Sequence, residues 1–399
     1  MKILYFSCYP KKYFNFLENH AIREISQPSQ KFNWMVLQGI KNNRVAVNVL
    51  NSYDQKSVIE HSFHEKVISI SENKIDYYFI PSIDNFKKNR KNSKENIKKF
   101  LEEYSKCNTD LCIVVDVLKP YAEYVYRYAN GVPVISIITD IPKHLVYGSG
   151  IKGRMRNIYK QMVFMSMIKK SNGFVFLTEE MNKLLNKKKK DYIIMEGLVD
   201  TSSIQQIKSC EVRKGNVVLY SGALHIRYGI AKVIEAFKSD ELKSYELHLY
   251  GAGDYEKNIK EICLHYPNIK YFGVVSNDEV IKKQMEADIL INPRPINEEF
   301  VKYSFPSKNM EYMLSGTPVL TSDLPGMPEE YKKYVIILDV TSSDSIKRGI
   351  LQAFSIPEEK RNQMGIAAKR FIESKKNNTV QARRIIEMAE EILQKGSDV

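Results

Sequence analysis

One pattern constrains this chain more than any other: short apolar runs alternate with helical stretches, and the alternation starts afresh past residue 215. In the first half the expected strands are Lys2–Ser7, Val45–Leu50, Leu111–Val115, Val132–Thr139, Gly173–Thr178 and Tyr192–Glu196. Stretches such as Asn33–Lys41 and Lys94–Ser105 between them read as helices. Such alternation builds βαβ units, and these build a parallel sheet covered by helices on both faces. After the polar stretch Asp200–Gly215 come new expected strands at Val217–Ser221, Glu246–Tyr250, Lys270–Phe272, Ile289–Asn292, Thr317–Thr321 and Val335–Leu338. Each half is long enough for its own doubly wound sheet, and 399 residues exceed what one ordinary core serves. The last helical region, about Pro357 to Lys395, looks broken at Lys375-Lys376-Asn377-Asn378. No internal repeat relates the halves, and Lys187–Lys190 is the one low-complexity tract.

Composition narrows the function class. Hydrophobic residues make up 43% and charged residues 27%, an ordinary globular balance. No apolar run reaches the ~20 residues a membrane span needs. The N-terminal MKILYFSCYP reads as a strand, since its apolar part is short and lacks a small-residue cleavage site. The five cysteines are scattered without a C-x-x-C pair, which suits a reducing, cytoplasmic setting and argues against structural zinc. The formal charge of +13 favours an anionic partner. From Ile141 to Thr178 there is no acidic residue, yet Lys143, Lys152, Arg154, Arg156, Lys160, Lys169 and Lys170 occur; a second cluster runs from Lys87 to Lys99. No nucleic-acid-binding motif accompanies these clusters, so nucleic acid is not expected as a partner. Solvated helix faces and contact with an anionic membrane both remain open. Arg154–Phe164 is basic and apolar together, as interfacial helices are. The plainer expectation is a helix packed on the first sheet with Ile158, Met162 and Met165 inward.

In open parallel sheets ligands bind beyond the carboxyl ends of strands, and the second half holds the informative residues there. Gly222 follows a strand where a missing side chain lets phosphate approach backbone N–H groups, and Arg227 lies beside the next helix. Gly251 and Gly253 follow a second strand and suit a backbone held close to a ligand, with Gly251 a donor-binding candidate, or an unusual dihedral. The most specific stretch is INPRPINEEFVKYSFPSKNMEYMLSGTPVL, residues 291 to 320. Its prolines stop strand pairing and fix a loop that carries Arg294. Pro306 suits a helix threshold, and beyond it Ser307, Lys308 and the first helical amides form an anion seat. Glu311, one turn on, suits a ribose diol, to which a carboxylate offers two acceptors. A capped helix with Lys308 and Glu311 in solvent is the competing reading.

Arg227-Tyr228-Gly229, Asn292-Pro293-Arg294, Phe305-Pro306-Ser307-Lys308 with Glu311-Tyr312, and Ser315-Gly316-Thr317-Pro318-Val319 resemble the donor-binding half of retaining glycosyltransferases of the GT-B fold, the large family four. Gln30-Lys31-Phe32-Asn33, Thr139-Asp140-Ile141-Pro142, Leu177-Thr178-Glu179 and Met195-Glu196-Gly197 extend a looser likeness into the first half. The resemblance implies an acceptor-binding Rossmann-like domain over 1–200 and a nucleotide-sugar-binding one over 213–375, facing each other across a cleft. It also implies a C-terminal helix, 376–399, that returns to the first domain. The implied reaction moves a sugar from a UDP- or GDP-linked donor to an acceptor hydroxyl with retention. The implied acceptor is a glycan or a lipid-linked chain at the inner face of the cell membrane.

The departures are informative. The family places a glutamate eight residues before Glu311, and Tyr303 stands there, leaving Glu298 or Glu299 as substitutes from the preceding loop. Tyr228 replaces the family's lysine, so Arg227 is the nearby cation. No Asp-x-Asp occurs to hold a divalent metal, so no metal or other cofactor is expected. Arg227, Lys308, Arg294 and the helix end at Ser307 are the candidates for stabilising the departing diphosphate. Asp140 is a candidate for positioning sugar or acceptor, and a helix cap is its other reading. A sugar-nucleotide epimerase of the same fold and a non-catalytic partner subunit are the alternatives to a transferase.

Overall fold

The computed structural model describes residues 1–6, 8–9, 27–52, 67–81, 85–141, 150–200 and 215–397. The chain divides into two compact units, Met1–Leu198 with Asn378–Val399, and Val199–Asn377.

The first unit runs β1 (Lys2–Phe6), α1 (Gln27–Asn42), β2 (Ala46–Asn51), β3 (Ile68–Glu72), β4 (Ile75–Phe79), α2 (Phe86–Lys106), β5 (Leu111–Asp116), α3 (Ala122–Tyr128), β6 (Val134–Ile138), α4 (Gly150–Lys170), β7 (Gly173–Phe176), α5 (Glu179–Leu185) and β8 (Asp191–Ile194). All six expected strands are present, each within a few residues of its expected ends. Their order in the sheet is β3-β4-β2-β1-β5-β6-β7-β8, parallel throughout except β3 against β4. That hairpin was not expected. Its turn, Asn73-Lys74, has both φ positive at 53° and 63°, the left-handed geometry of a tight hairpin, but it contains no glycine to mark it.

The second unit runs β9 (Val217–Ser221), α6 (Ile230–Phe237), β10 (Glu246–Tyr250), α7 (Glu256–His265), β11 (Ile269–Gly273), α8 (Asn277–Glu286), β12 (Ile289–Asn292), α9 (Ser307–Ser315), β13 (Val319–Ser322), α10 (Glu329–Lys332), β14 (Ile336–Leu338), α11 (Ser343–Ser355) and α12 (Glu358–Lys375). Its six strands are all parallel, in the order β11-β10-β9-β12-β13-β14. This is the doubly wound order, and its topological switch point lies between β9 and β12. Both strands are fully buried, as apolar strands covered on two faces must be.

The final helical region does break where expected, at Lys376-Asn377, and a last helix, α13 (Asn378–Ser397), follows. It packs on the first unit against α1. Ala382, Ile385 and Ala389 are fully buried with Ile3, Val36 and Ile40 in one core. The approach is close because Gly39 of α1 has no side chain: a Cβ there would sit 2.1 Å from the Asn378 carbonyl oxygen and 2.7 Å from the Ala382 Cβ. Asn43 Nδ2 donates to the Thr379 carbonyl at 2.8 Å, and Arg384 Nη1 to that of Ile194 at 2.7 Å. Gly39→Ala must push the two helices apart. It should destabilise the first unit by about 1–3 kcal/mol, the range for overpacking, read as a lower urea midpoint.

Candidate functional site

The switch point of the second unit organises the site. Ser221 ends β9, still in register with Tyr250 of β10 but past Leu219, where the pairing with β12 stops. The Tyr312 hydroxyl takes over that pairing: it accepts from the Ser221 N–H at 2.8 Å and donates to the Ser221 carbonyl at 3.0 Å. Tyr312 sits in α9 and is fully buried, and burial pushes its pKa up, so it stays a neutral donor and acceptor. Gln284 of α8, also fully buried, donates from Nε2 to Ser221 Oγ at 3.0 Å and to Glu311 Oε1 at 2.9 Å. Its own backbone carbonyl accepts from Thr317 Oγ1 at 2.7 Å. Glu311 is thus half-buried and held at one oxygen, rather than waving in solvent.

Lys308 lies one turn earlier on the same helix face, its Nζ 6.0 Å from the centre of the Tyr312 ring. The side chain crosses Gly222, whose φ is 153°. A Cβ at Gly222 would lie 2.1 Å from Lys308 Cε and 2.9 Å from Nζ. Gly222 therefore makes room for the lysine. The space expected to admit phosphate to backbone N–H groups is crossed by the lysine, and the Gly222 N–H itself donates to the Tyr250 carbonyl at 2.8 Å. Gly251 has the unusual dihedral expected of it, with φ 125°; its N–H donates to Gly273 at 2.7 Å, and a Cβ there would sit 1.9 Å from the Gly222 carbonyl oxygen. Gly253 would meet the Leu224 carbonyl oxygen at 2.3 Å. These glycines let the loops after β9 and β10 run side by side. At the start of α9, the expected anion seat, Ser307 is exposed and no side chain caps the helix behind Pro306.

Arg227 and Arg294 form the second part of the site. Arg227 lies in a 3-10 turn, Ile226–Tyr228, and Arg294 in the loop after β12. The two loops touch at Gly229, where a Cβ would lie 2.1 Å from the Pro293 carbonyl oxygen. Both guanidiniums use the same two rings: Arg227 Cζ is 5.0 Å from the Tyr228 centroid and 5.4 Å from that of Phe300, and Arg294 Cζ is 5.7 Å and 5.2 Å from them. Neither arginine has an ion-pair partner among the described residues. Burial pulls the Arg294 pKa below its ordinary value, and the Arg227 charge adds to that. Its Nη2 donates to Ser304 Oγ at 3.2 Å, while its buried Nε finds no acceptor among the described residues. Glu299 is exposed in the 3-10 turn Glu299–Tyr303 that also carries Phe300.

Asp140 is exposed just past β6 in the first unit, and Pro142, the last residue of its motif, lies outside the described residues. Beyond the ends of β1 and β5 that unit holds a polar cluster that sequence reasoning missed. The buried Asp116 accepts from Asn33 Nδ2 at 2.8 Å and from Ser29 Oγ at 3.3 Å, Lys119 Nζ donates to Ser29 Oγ at 2.9 Å, and Tyr5 donates to Asn33 Oδ1 at 2.5 Å. An aspartate ending the apolar run LCIVVD was the available signal.

Residues 203–371 match the family model of glycosyl transferases group 1. No curated protein sequence matches the chain. Among solved structures it is similar to a sucrose-phosphate synthase from Thermosynechococcus elongatus at 11% identity and TM-score 0.64, covering 99% of this chain and 100% of that one. It is also similar to the pneumococcal O-GlcNAc transferase GtfA in complex with UDP and GlcNAc, at 12% identity and TM-score 0.59 over 98% and 99% of the two chains. Anabaena Alr3699/HepE in complex with UDP matches at 12% identity and TM-score 0.61 over 98% and 100%. The resemblance read from the motifs is borne out: the fold is the GT-B fold, two Rossmann-like units, and the second unit carries the group 1 glycosyltransferase match.

Because Tyr312 ties β9 to α9, Tyr312→Phe leaves the Ser221 N–H and carbonyl unpaired inside the unit. The variant should lose about 1–3 kcal/mol of stability, the cost of unsatisfied buried groups, measured by urea unfolding against the parent chain.

Proposed function

We propose that the chain is a retaining glycosyltransferase that takes a UDP-linked sugar and passes it to a hydroxyl of a cell-surface glycan or glycolipid. One observation carries the donor reading. At the switch point of the second unit, Lys308 and an uncapped helix N-terminus stand one turn from a carboxylate, Glu311, that Gln284 holds in place. The cations and the helix end suit a diphosphate, and the carboxylate suits a ribose diol. The presence of UDP in two similar structures supports the uridine choice. Arg227 and Arg294 extend the positive field toward the diphosphate, and Glu299 is the proposed replacement for the glutamate that Tyr303 displaces. Asp140 is proposed to position the acceptor or the sugar.

Leaving-group stabilisation then falls to side chains and a helix dipole, with no metal in the proposal. Donor turnover should persist in excess EDTA; activity abolished by chelator and restored by manganese would end this part of it. We also propose that the enzyme works at the inner, anionic face of a membrane, which the charge of +13 supports. The described residues contain no helix long and apolar enough to cross a membrane.

Lys308 and Glu311 separate in their effects. The Lys308 contact strengthens as the leaving group gains charge, so Lys308→Ala should lower turnover more than donor affinity. The Glu311 contact is made equally before and during transfer. Glu311→Ala should therefore weaken both donor and free UDP by about 1.5–3 kcal/mol, measured by calorimetry. UDP binding by both variants at the parent affinity would return the stretch to a plain capped helix.

A further inference from the structure

The helix α4 carries more exposed large apolar side chains than any other element among the described residues. The expectation that Ile158, Met162 and Met165 face inward is overturned. These three, with Ile151 and Met155, are 41% to 82% exposed. At 100° per residue the five fall on one stripe. The buried residues Gly153, Phe164, Met167 and Ile168 occupy the opposite side. The helix is apolar on two faces, and only one of them is packed. Scattered exposed apolar residues are normal, but a contiguous stripe along one helix marks a contact surface.

The charges identify the occupant. Lys152, Arg154, Arg156, Lys160, Lys169 and Lys170 lie on the same helix, which contains no carboxylate. Two copies meeting through this stripe would bring twice those cations together without compensation, so a second copy of the chain is disfavoured. An anionic bilayer surface satisfies both features, taking the apolar side chains below its headgroups and the cations among its phosphates.

A cavity of about 280 Å³ opens on the flank of the stripe, between α2, α3 and α4. Four cations line it, Arg90, Lys94, Arg127 and Lys170, against one carboxylate, Glu123. Arg90 is held in place: its Nε donates to the Tyr124 hydroxyl at 2.9 Å and its Nη2 to the Tyr159 hydroxyl, with Glu123 at 3.8 Å. Tyr159, from α4, borders both the cavity and the stripe. An excess of positive charge in a walled recess suits a phosphate group.

We infer that α4 is the membrane-docking element, with its stripe inserted at the bilayer interface and the phosphate of an anionic lipid in the cavity beside it. The inference rests on the membrane-surface reading above and names the contact. Two variants test it by cosedimentation with phosphatidylglycerol-containing and phosphatidylcholine vesicles. Met155→Gln/Ile158→Gln/Met162→Gln should weaken binding to the anionic vesicles by about tenfold or more. Lys94→Gln/Arg127→Gln should lower the preference for anionic over neutral vesicles by about threefold or more. Both should keep the melting temperature and the UDP affinity of the parent, because all these side chains are outside the donor site. Parent-like vesicle binding by the triple variant removes α4 as the contact while leaving the membrane reading in place. Failure of the parent chain to bind either vesicle removes both. A dimer that the triple variant dissolves, with vesicle binding unchanged, would assign the stripe to a second copy instead. An unchanged lipid preference in the double variant, or protection by inorganic phosphate without any by lipid, overturns the headgroup site.

Discussion

The pairing of Ser221 with the Tyr312 hydroxyl is the constraint on which the second unit's site depends. A parallel strand that ends at a switch point leaves an N–H and a carbonyl without ladder partners, and burial makes those groups costly to leave unpaired. One phenol satisfies both, at 2.8 Å and 3.0 Å. In doing so it locks the rotation of α9 about its axis. Lys308 lies three positions before Glu311 and four before Tyr312, so anchoring Tyr312 inward sets the direction of both charged side chains relative to the end of β9. Gln284 completes the arrangement from α8 with a single Nε2 shared between Ser221 and Glu311. The orientation of this amide follows from its partners, since its oxygen turned toward Glu311 would face a carboxylate. Stability and site geometry are therefore carried by the same few bonds.

Much of this was legible in the sequence because burial on both faces of a parallel strand demands continuous apolar runs. All twelve expected strands appear, and the helix break at Lys376-Asn377 follows from polar residues no helix interior needs. Short-range chemistry was legible too: the proline-bounded loop, the helix starting at Ser307, and the cations near it. Long-range roles were not. Gly222 and Gly251 read as ligand-facing because glycine after a strand has two explanations, close approach of a ligand or of another loop, and only the fold shows the second loop. Gln284 sits in a polar helical stretch with no pattern to single it out; its importance comes from Ser221 and Glu311, which lie 63 and 27 residues away. The Asp116 cluster likewise joins residues more than 80 apart in sequence.

The two arginines show how the site holds positive charge without an acidic partner. Like charges repel, and Arg227 adds to the lowering of the Arg294 pKa. The rings of Tyr228 and Phe300 offset part of that by presenting their negative faces to both guanidiniums. Here the replacement of the family's lysine by Tyr228 takes on physical sense. The tyrosine removes one charge from the loop and supplies a wall against which Arg294, from the β12 loop, can lie beside Arg227. The positive field comes from two loops that meet at Gly229 rather than from one.

The helix α4 illustrates a limit of periodicity as a guide. A 3.6-residue repeat of apolar positions shows that a face is apolar, and the usual inference is that this face is buried. In α4 there are two such repeats on opposite sides, one through Ile158, Met162 and Met165 and one through Phe164, Met167 and Ile168. Packing can cover only one side of a surface helix. The choice falls on the side that includes Gly153, Phe164, Met167 and Ile168, which are buried. Charge could have decided the matter beforehand. Lys152 and Arg154 bracket the stripe on its two sides, and a stripe so bracketed cannot enter a core without stranding those cations. A helix whose cations flank an apolar face keeps that face outward, at a boundary where both can be satisfied.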